Sequence, residues 1–377
     1  MISSTFAYLA TLALVVLLFV LLERKTKLKV FKFVPVVVMI YLSCMFLAGI
    51  GVFEQNKNID EVYSNLQKIL LPSMLFLMLL RVDLRDFFKL GKSLLIAYVL
   101  AIFSLFVAFI SVSLIFDFNK EMAASFGALS GSWIGGTANM IAVGSALGVS
   151  QEAFGYTLIV DSFNYTIWIM FLLFLVPFAH RFNIFTASYE EMARLEKIES
   201  VYAIGVKKYW LLISLSLMVA YTVNLIAESG FILLNYTTTT VVLATLLGIF
   251  GSFSKLKFVN GSGEASTIML YLLLALIGSK AVFQNFNGVG VYIFAGFCIL
   301  VIHATIMVIG AKIFKLNLFS IAVASLASIG GVASASILAA AYSRALVGIG
   351  VLMAIMGYVI GTFGGIILGN ILVRIAE

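Results

Sequence analysis

Residues 130–139 read Ser130-Gly131-Ser132-Trp133-Ile134-Gly135-Gly136-Thr137-Ala138-Asn139, inside a long apolar run. Residues 329–334 read Ile329-Gly330-Gly331-Val332-Ala333-Ser334, inside another such run, 195 positions beyond residues 134–139. A glycine pair lets the chain leave a helix and frees amide and carbonyl groups that hydrocarbon cannot satisfy. Such a break must face protein, water, an ion or a substrate. One break could be a packing device of the small-xxx-small kind. Paired breaks at matching places in two halves of a chain are a stronger signal, and they point to a transporter binding site.

Outward from these motifs the chain is apolar almost throughout. Of 377 residues, 63% are hydrophobic and 11% charged, too little polar surface to cover a soluble globule of this size. Apolar segments run at about 5–22, 34–53, 66–82, 92–116, 123–150, 152–180, 209–228, 236–253, 265–284, 288–311, 317–344 and 346–373. They form two sets of six, with the glycine motif in the fifth segment of each set. The expected fold is an all-α membrane protein of two inverted repeats, residues 1–180 and 209–377. Each repeat has about five transmembrane helices plus one glycine-broken helix that either re-enters or crosses. The polar stretch 181–208, with Glu190, Glu191, Arg194, Glu196, Lys197 and Glu199, reads as a solvated, partly helical cytoplasmic linker. The first segment has no basic region before it and no small-residue cleavage site after it, so it reads as a retained helix.

The net charge of +7 resides in short loops rather than on one face or arm, which argues against a nucleic-acid partner. It does report topology. If all twelve segments cross, with the loop carrying Arg24, Lys25, Lys27, Lys29 and Lys32 inside, the basic residues fall on both sides almost equally. If segments five and eleven instead dip in and return, nineteen of the 24 Lys and Arg lie inside and only Lys57, Lys68, Lys120, Lys280 and Arg374 outside. The charge pattern thus favours re-entrant segments. Five crossings per half then orient the halves oppositely, as alternating access commonly requires.

The side chains at the breaks suit small ligands. Half-helix N-termini offer partly positive amides to an anionic group, while carbonyls and hydroxyls suit a sodium ion. The candidate substrate-binding residues are Ser130, Ser132, Gly135, Gly136, Thr137 and Asn139 in the first half, with Ser328, Gly330, Gly331 and Ser334 in the second; Ser325 and Ser336 extend the second set. Asp161 is the sole acid deep within an apolar segment, where an ionisable group is costly and marks a functional candidate. With Ser162, Asn164 and Thr137 it forms the candidate cation site, for sodium or a proton; the alternative is an interfacial acid paired with a headgroup-level cation. The second half has Met356 and Gly357 at the corresponding place, so that site is asymmetric.

Other polar residues are weaker candidates. His303 could relay a proton, but a hydrogen-bonded packing histidine is the commoner case. Glu228, Lys280 and Gln284 mark segment ends, Arg81, Asp83, Arg85 and Asp86 a charged helix end, and Gly361, Gly365 and Gly369 a close helix approach. Cys44 and Cys298 lie in separate segments and read as packing residues. His180 and His303 are also far apart, and no hydrolase, metalloprotease or phosphate-loop motif occurs. The chain is therefore expected to be no enzyme and to need no cofactor beyond a sodium ion.

Gly131 to Asn139, then Ala142, Val143, Ala146, Leu147 and Gly148, and Val160-Asp161-Ser162 with Asn164-Tyr165, resemble the YjcL-like family. These are multipass membrane proteins with a domain of unknown function, grouped with the bile-acid symporter and cation/proton antiporter superfamily. Ser328 to Ser334 resembles the family's second motif, and the likeness covers most of the chain. It implies an inverted-repeat transporter with a mobile core and a scaffold, often a homodimer. It also implies broken helices that cross, against the charge pattern. The combined expectation is a secondary active transporter in a bacterial inner membrane. It would be a sodium- or proton-coupled symporter of a small organic anion, an amino acid or a short peptide, and the resemblance favours a cell-wall-derived one. A cation/proton antiporter, a passive channel and a membrane-embedded sensor or scaffold are the alternatives.

Overall fold

The computed structural model describes residues 1–25, 35–54, 56–80, 90–188, 206–230, 235–254, 256, 261–281, 288–343 and 346–377. Most of the loop 24–32, the charged helix end at 81–86, Gln284 and the greater part of the linker lie outside them.

The described chain is helical, with one isolated bridge between Ile2 and Phe53. Helices are what an apolar sequence must form in lipid, because every backbone group is then bonded within its own segment. In order they are α1 (Thr5–Lys25), α2 (Val36–Gly49), α3 (Lys57–Leu80), α4 (Lys92–Ile115), α5 (Lys120–Gly135), α6 (Thr137–Ala146), α7 (Gln151–Leu175), α8 (Ala179–Thr186), α9 (Val206–Glu228), α10 (Tyr236–Ser252), α11 (Ser262–Lys280), α12 (Val289–Phe314), α13 (Leu318–Ile329), α14 (Gly331–Tyr342) and α15 (Val347–Ile375). Among the described residues, eight helical stretches are long and apolar enough to cross a membrane. They are α1, α3, α4, α7 with its continuation to Thr186, α9, α11, α12 and α15. Helices α2, α10, α13 and α14 are apolar but shorter.

Two compact units each draw on both halves of the sequence. The first comprises residues 1–81, 148–162 and 203–289. Within it α11 packs on α1, α2 and α3, and α3 on α9 and α10. A Cβ on Gly278 of α11 would lie 2.5 Å from the Tyr41 carbonyl of α2, so the glycine sets this close approach. Tyr8 and Ser279 share a buried hydrogen bond of 2.6 Å, and the Lys280 ammonium meets the Asp60 carboxylate at 2.5 Å. Lys280, expected only to mark a segment end, is thus also an ion-pair partner.

The second unit comprises residues 82–147, 163–202 and 290–377 and contains both glycine motifs. Its centre is α15, which packs on α4, α5, α6, α13 and α14. Contact between α15 and α5 runs through facing glycines. A Cβ on Gly127 would lie 2.8 Å from Cα of Gly369, one on Gly365 2.8 Å from Cα of Gly131, and one on Gly361 2.5 Å from Cα of Gly135. The three pairs step by four residues in opposite directions, so the helices are antiparallel and nearly in backbone contact. The close approach expected of Gly361, Gly365 and Gly369 is present. Its partner is the first glycine motif itself, so Gly131 and Gly135 also serve packing.

Candidate functional site

Each glycine motif divides a segment into two short helices that fold back on each other. At the first, a Cβ on Gly131 would meet the carbonyl of Asn139 at 2.9 Å and Val143 at 2.8 Å, and one on Gly127 would meet Leu147. Positions 127, 131 and 135 of α5 thus face Leu147 at the end of α6 and positions 143 and 139 within it, an antiparallel hairpin with Gly136 at its tip. At the second, the Phe319 and Tyr342 rings, from the outer ends of α13 and α14, stack edge-on at 5.3 Å. That contact closes another hairpin, with Gly330 and Gly331 at its tip. Doubling back is what the charge pattern favoured over the crossing form.

At both tips the second glycine makes the turn. Gly136 has φ 87° and Gly331 φ 73°, in the left-handed region that side chains disfavour. The first tip is rebuilt by Asn139. Its Nδ2 donates to the Gly135 carbonyl at 2.7 Å, which lost its helical partner at the break, and its Oδ1 accepts from the Thr362 hydroxyl at 2.6 Å. Both side chains are fully buried.

The outer and inner ends of the hairpins differ. Outer helices α5 and α13 begin with asparagine caps, Asn119 accepting from the Met122 amide at 2.9 Å and Asn317 from the Ser320 amide at 2.8 Å. Inner helices α6 and α14 begin at Gly136 and Gly330 with no side-chain cap. Their first amides are left for another acceptor. A Cβ on Gly331 would meet nothing within 4 Å, so there is open space beside that tip.

The tips also converge on α15. Gly135 packs at Gly361, and a Cβ on Gly350 would lie 2.6 Å from the Ala335 carbonyl of α14. One helical turn, roughly 6 Å, separates Ala335 from Gly331, which brings the second tip towards the middle of α15. Aromatic rings are exchanged between the halves. Tyr358 of α15 lies 3.5 Å from where a Gly136 Cβ would stand, and Tyr165 of α7 lies 2.6 Å from the same point on Gly330.

The expected substrate residues fall into two groups. Ser130, Ser132, Gly135, Asn139, Ser328 and Ser334 are buried. The hydroxyls of Ser130, Ser328 and Ser334 donate to the carbonyls of Gly127, Ala324 and Gly331 on their own helices, leaving only lone pairs for a ligand. Gly136, Thr137, Gly330 and Gly331 are partly exposed at the tips. Among the candidate cation residues, Asn164 is fully buried; its Nδ2 donates to the Ile293 carbonyl at 3.2 Å, while Oδ1 receives no hydrogen bond. Asp161 and Ser162, up to one turn earlier on α7, are half-buried and belong to the first compact unit. Cys44 is buried, Cys298 half-buried, and both are free thiols.

Sequence reasoning missed Thr362, Tyr358, Ser104 and Trp168. Tyr358 and Thr362 flank Gly361 on α15, and the antiparallel register of the glycines, once drawn, would have found them. Nothing in the sequence pairs Ser104 or Trp168 with His303. That histidine is fully buried, its Nδ1 2.7 Å from the Ser104 hydroxyl and its Nε2 2.8 Å from Ser325. Trp168 donates to Ser325 at 2.9 Å.

Among known proteins, an uncharacterised membrane protein, YjcL of Bacillus subtilis (strain 168), is 23% identical over 353 residues, covering 87% of each chain. This agrees with the apolar helices in making the protein a multipass membrane protein. The family described as a protein of unknown function (DUF819) matches residues 7–375, both hairpins included, and the chain belongs to that family.

Proposed function

We propose that the protein is a secondary active transporter of a bacterial inner membrane that binds its substrate between the two hairpin tips. The observation that carries this reading is the pair of helix starts without a side-chain cap at the tips, where Gly136 and Gly331 adopt positive φ, in a chain whose outer hairpin ends are capped by asparagine. Bare amides are tolerated at membrane depth only beside a polar ligand or water. Two N-termini directed at one place favour an anionic group, so the substrate class is a small organic anion, amino acid or short peptide carrying a carboxylate. Gly136, Thr137, Gly330 and Gly331 would contact it. Buried Ser130, Ser132, Gly135, Asn139, Ser328 and Ser334 would shape and support the tips.

The halves read as inverted repeats, residues 1–180 and 209–377 about the linker at 181–208. Asn119 matches Asn317, Gly136 matches Gly331, and each tip is covered by a tyrosine from the other half. Coupling to a cation is supported by the Asn164 Oδ1, a buried oxygen without a donor and one turn from Asp161. Asp161, Ser162, Asn164 and Thr137 are the residues assigned to it.

The test is purified protein in proteoliposomes, given a panel of labelled carboxylates, amino acids and dipeptides, with and without a sodium gradient and with and without a pH gradient. Gradient-dependent accumulation of one of these is the expected result. Flux that only follows the solute's own gradient would make the protein a channel, and no flux with any solute would refute the transporter reading.

A further inference from the structure

The two hairpins are secured by different means. The first is held to α15 by backbone contact between glycines. The second also meets α15, where Gly350 lies against the Ala335 carbonyl, but its first helix is held by a chain of polar side chains centred on His303, which lies on α12, outside either hairpin.

The chain has a determined direction. Trp168 Nε1–H can only donate, and it donates to Ser325 Oγ at 2.9 Å. At the other end the Ser104 hydroxyl donates to the Ala101 carbonyl at 2.8 Å, a group that can only accept. With its hydrogen committed, Ser104 presents a lone pair to His303 Nδ1 at 2.7 Å, so Nδ1 carries the ring hydrogen. Nε2 is then bare and accepts from the Ser325 hydroxyl at 2.8 Å. Indole to hydroxyl to imidazole to hydroxyl to carbonyl, every polar atom is satisfied once by a neutral ring.

A protonated ring would set a second donor against the Ser325 oxygen and leave a charge in a fully buried site. The groups that face it are two serine hydroxyls and the Trp168 indole, whose ring lies 5.7 Å away, and none is charged. On the four helices concerned, the nearest titratable side chains along the chain are Tyr98 on α4, Tyr165 on α7 and Cys298 on α12, two phenols and a thiol, and the nearest acids and bases, Lys92, Asp161 and Lys312, are seven or more residues away, roughly 10 Å or more of helix; α13 has none. Nor can the chain conduct. One end is an N–H that only donates and the other a helical carbonyl that only accepts.

We propose that His303 is a permanently neutral positioning residue, holding the Nδ1–H tautomer, that fixes the first helix of the second hairpin and carries no coupled ion. Ser325 stands five residues before Gly330, and the chain ties it to α7, α12 and α4. The rest of α7's grip is Tyr165 on Gly330. Helix α13 is therefore pinned on several sides through one serine.

The test uses the intact protein in nanodiscs, labelled with ¹⁵N-histidine and ¹⁵N-tryptophan. The chain has only two histidines, and His180 is exposed, so its resonances can be told apart from those of buried His303. The expected spectrum shows His303 with protonated Nδ1 and bare Nε2, unchanged from pH 5 to pH 8. A ring protonated on Nε2, or one that becomes cationic in that range, overturns the proposal. His303→Gln, which keeps a donor and an acceptor, should preserve the hydrogen-bonded Trp168 indole resonance, and Ser325→Ala should shift it. An indole resonance unmoved in Ser325→Ala would equally overturn the chain. These readings need no substrate, so they stand or fall separately from the transport assay.

Discussion

Replacement of Gly361 by alanine tests whether the first hairpin is docked on α15 in the register described. A Cβ there would lie 2.5 Å from Cα of Gly135, 2.6 Å from Asn139 Nδ2 and 2.8 Å from the Gly135 amide. Real Cβ atoms do not approach so closely, and two of the three neighbours are backbone, so α5 and α15 must separate by roughly 1 Å. Overpacking of this kind costs about 1–3 kcal/mol, with Asn139's bond to Gly135 strained as well, and the gain of up to about 1 kcal/mol from alanine's helix propensity offsets only part of it. Gly364, three residues on and equally buried, is the control. Its Cβ would meet Ile134 at 3.4 Å and Phe106 at 3.7 Å, ordinary contacts, so Gly364→Ala should be neutral or stabilising. The expected gap between the two variants is about 2–3 kcal/mol, or a Tm difference of very roughly 5–10 °C in one detergent. Intrinsic fluorescence can follow unfolding, because fully buried Trp133 lies two residues before Gly135. A Gly361→Ala protein as stable as Gly364→Ala would refute the docking.

Asn139→Ala should lose about 2 kcal/mol, since it removes two buried hydrogen bonds and strands the Thr362 hydroxyl and the Gly135 carbonyl; the same unfolding assay measures it. Asp161→Asn should abolish the cation dependence of uptake in proteoliposomes, and an unchanged dependence would remove Asp161 from the coupling mechanism. Cysteines at positions 121 and 151, at the start of α5 and the start of the helix that follows α6, should react with an impermeant thiol reagent from the same side of the membrane; reaction from opposite sides would refute the re-entrant topology. At the C-terminus the Lys120 ammonium, 2.8 Å away, holds the Glu377 carboxyl below its ordinary range. Any stability from this exposed pair is therefore present above the ordinary carboxylate pKa and lost as pH falls through the depressed value. A carboxyl titration by NMR should show Glu377 returning to the ordinary range in Lys120→Met.

The periodic apolar segments were legible because lipid imposes one rule on all of them. The breaks were legible too, since only glycine supplies the left-handed turn found at Gly136 and Gly331. What escaped were pairings between distant positions. Gly135, a candidate substrate residue, and Gly131 beside it are pressed against Gly361 and Gly365, because the same absence of a side chain serves a turn and a close approach equally well. Asn139, a candidate substrate residue, repairs the backbone at the tip, which its position in the sequence does not reveal. His303 could not be assigned from sequence, since its state is set by Ser104, 199 positions earlier, and Ser325, 22 positions later. The notable orphan, the Asn164 oxygen, is visible only when its surroundings are known.

Helix α15 serves as a common ruler for the two hairpins. One tip takes its position from Gly361 and Tyr358 and the other from the register begun at Gly350, so about three turns of a single rigid rod carry both marks. An axial slide of that rod would displace both tips by the same amount. Because the hairpins meet it from different sequence halves, the slide that loosens one contact need not loosen the other in the same way. Opening and closing on the two sides would then be tied together mechanically, with no signal passing through the substrate.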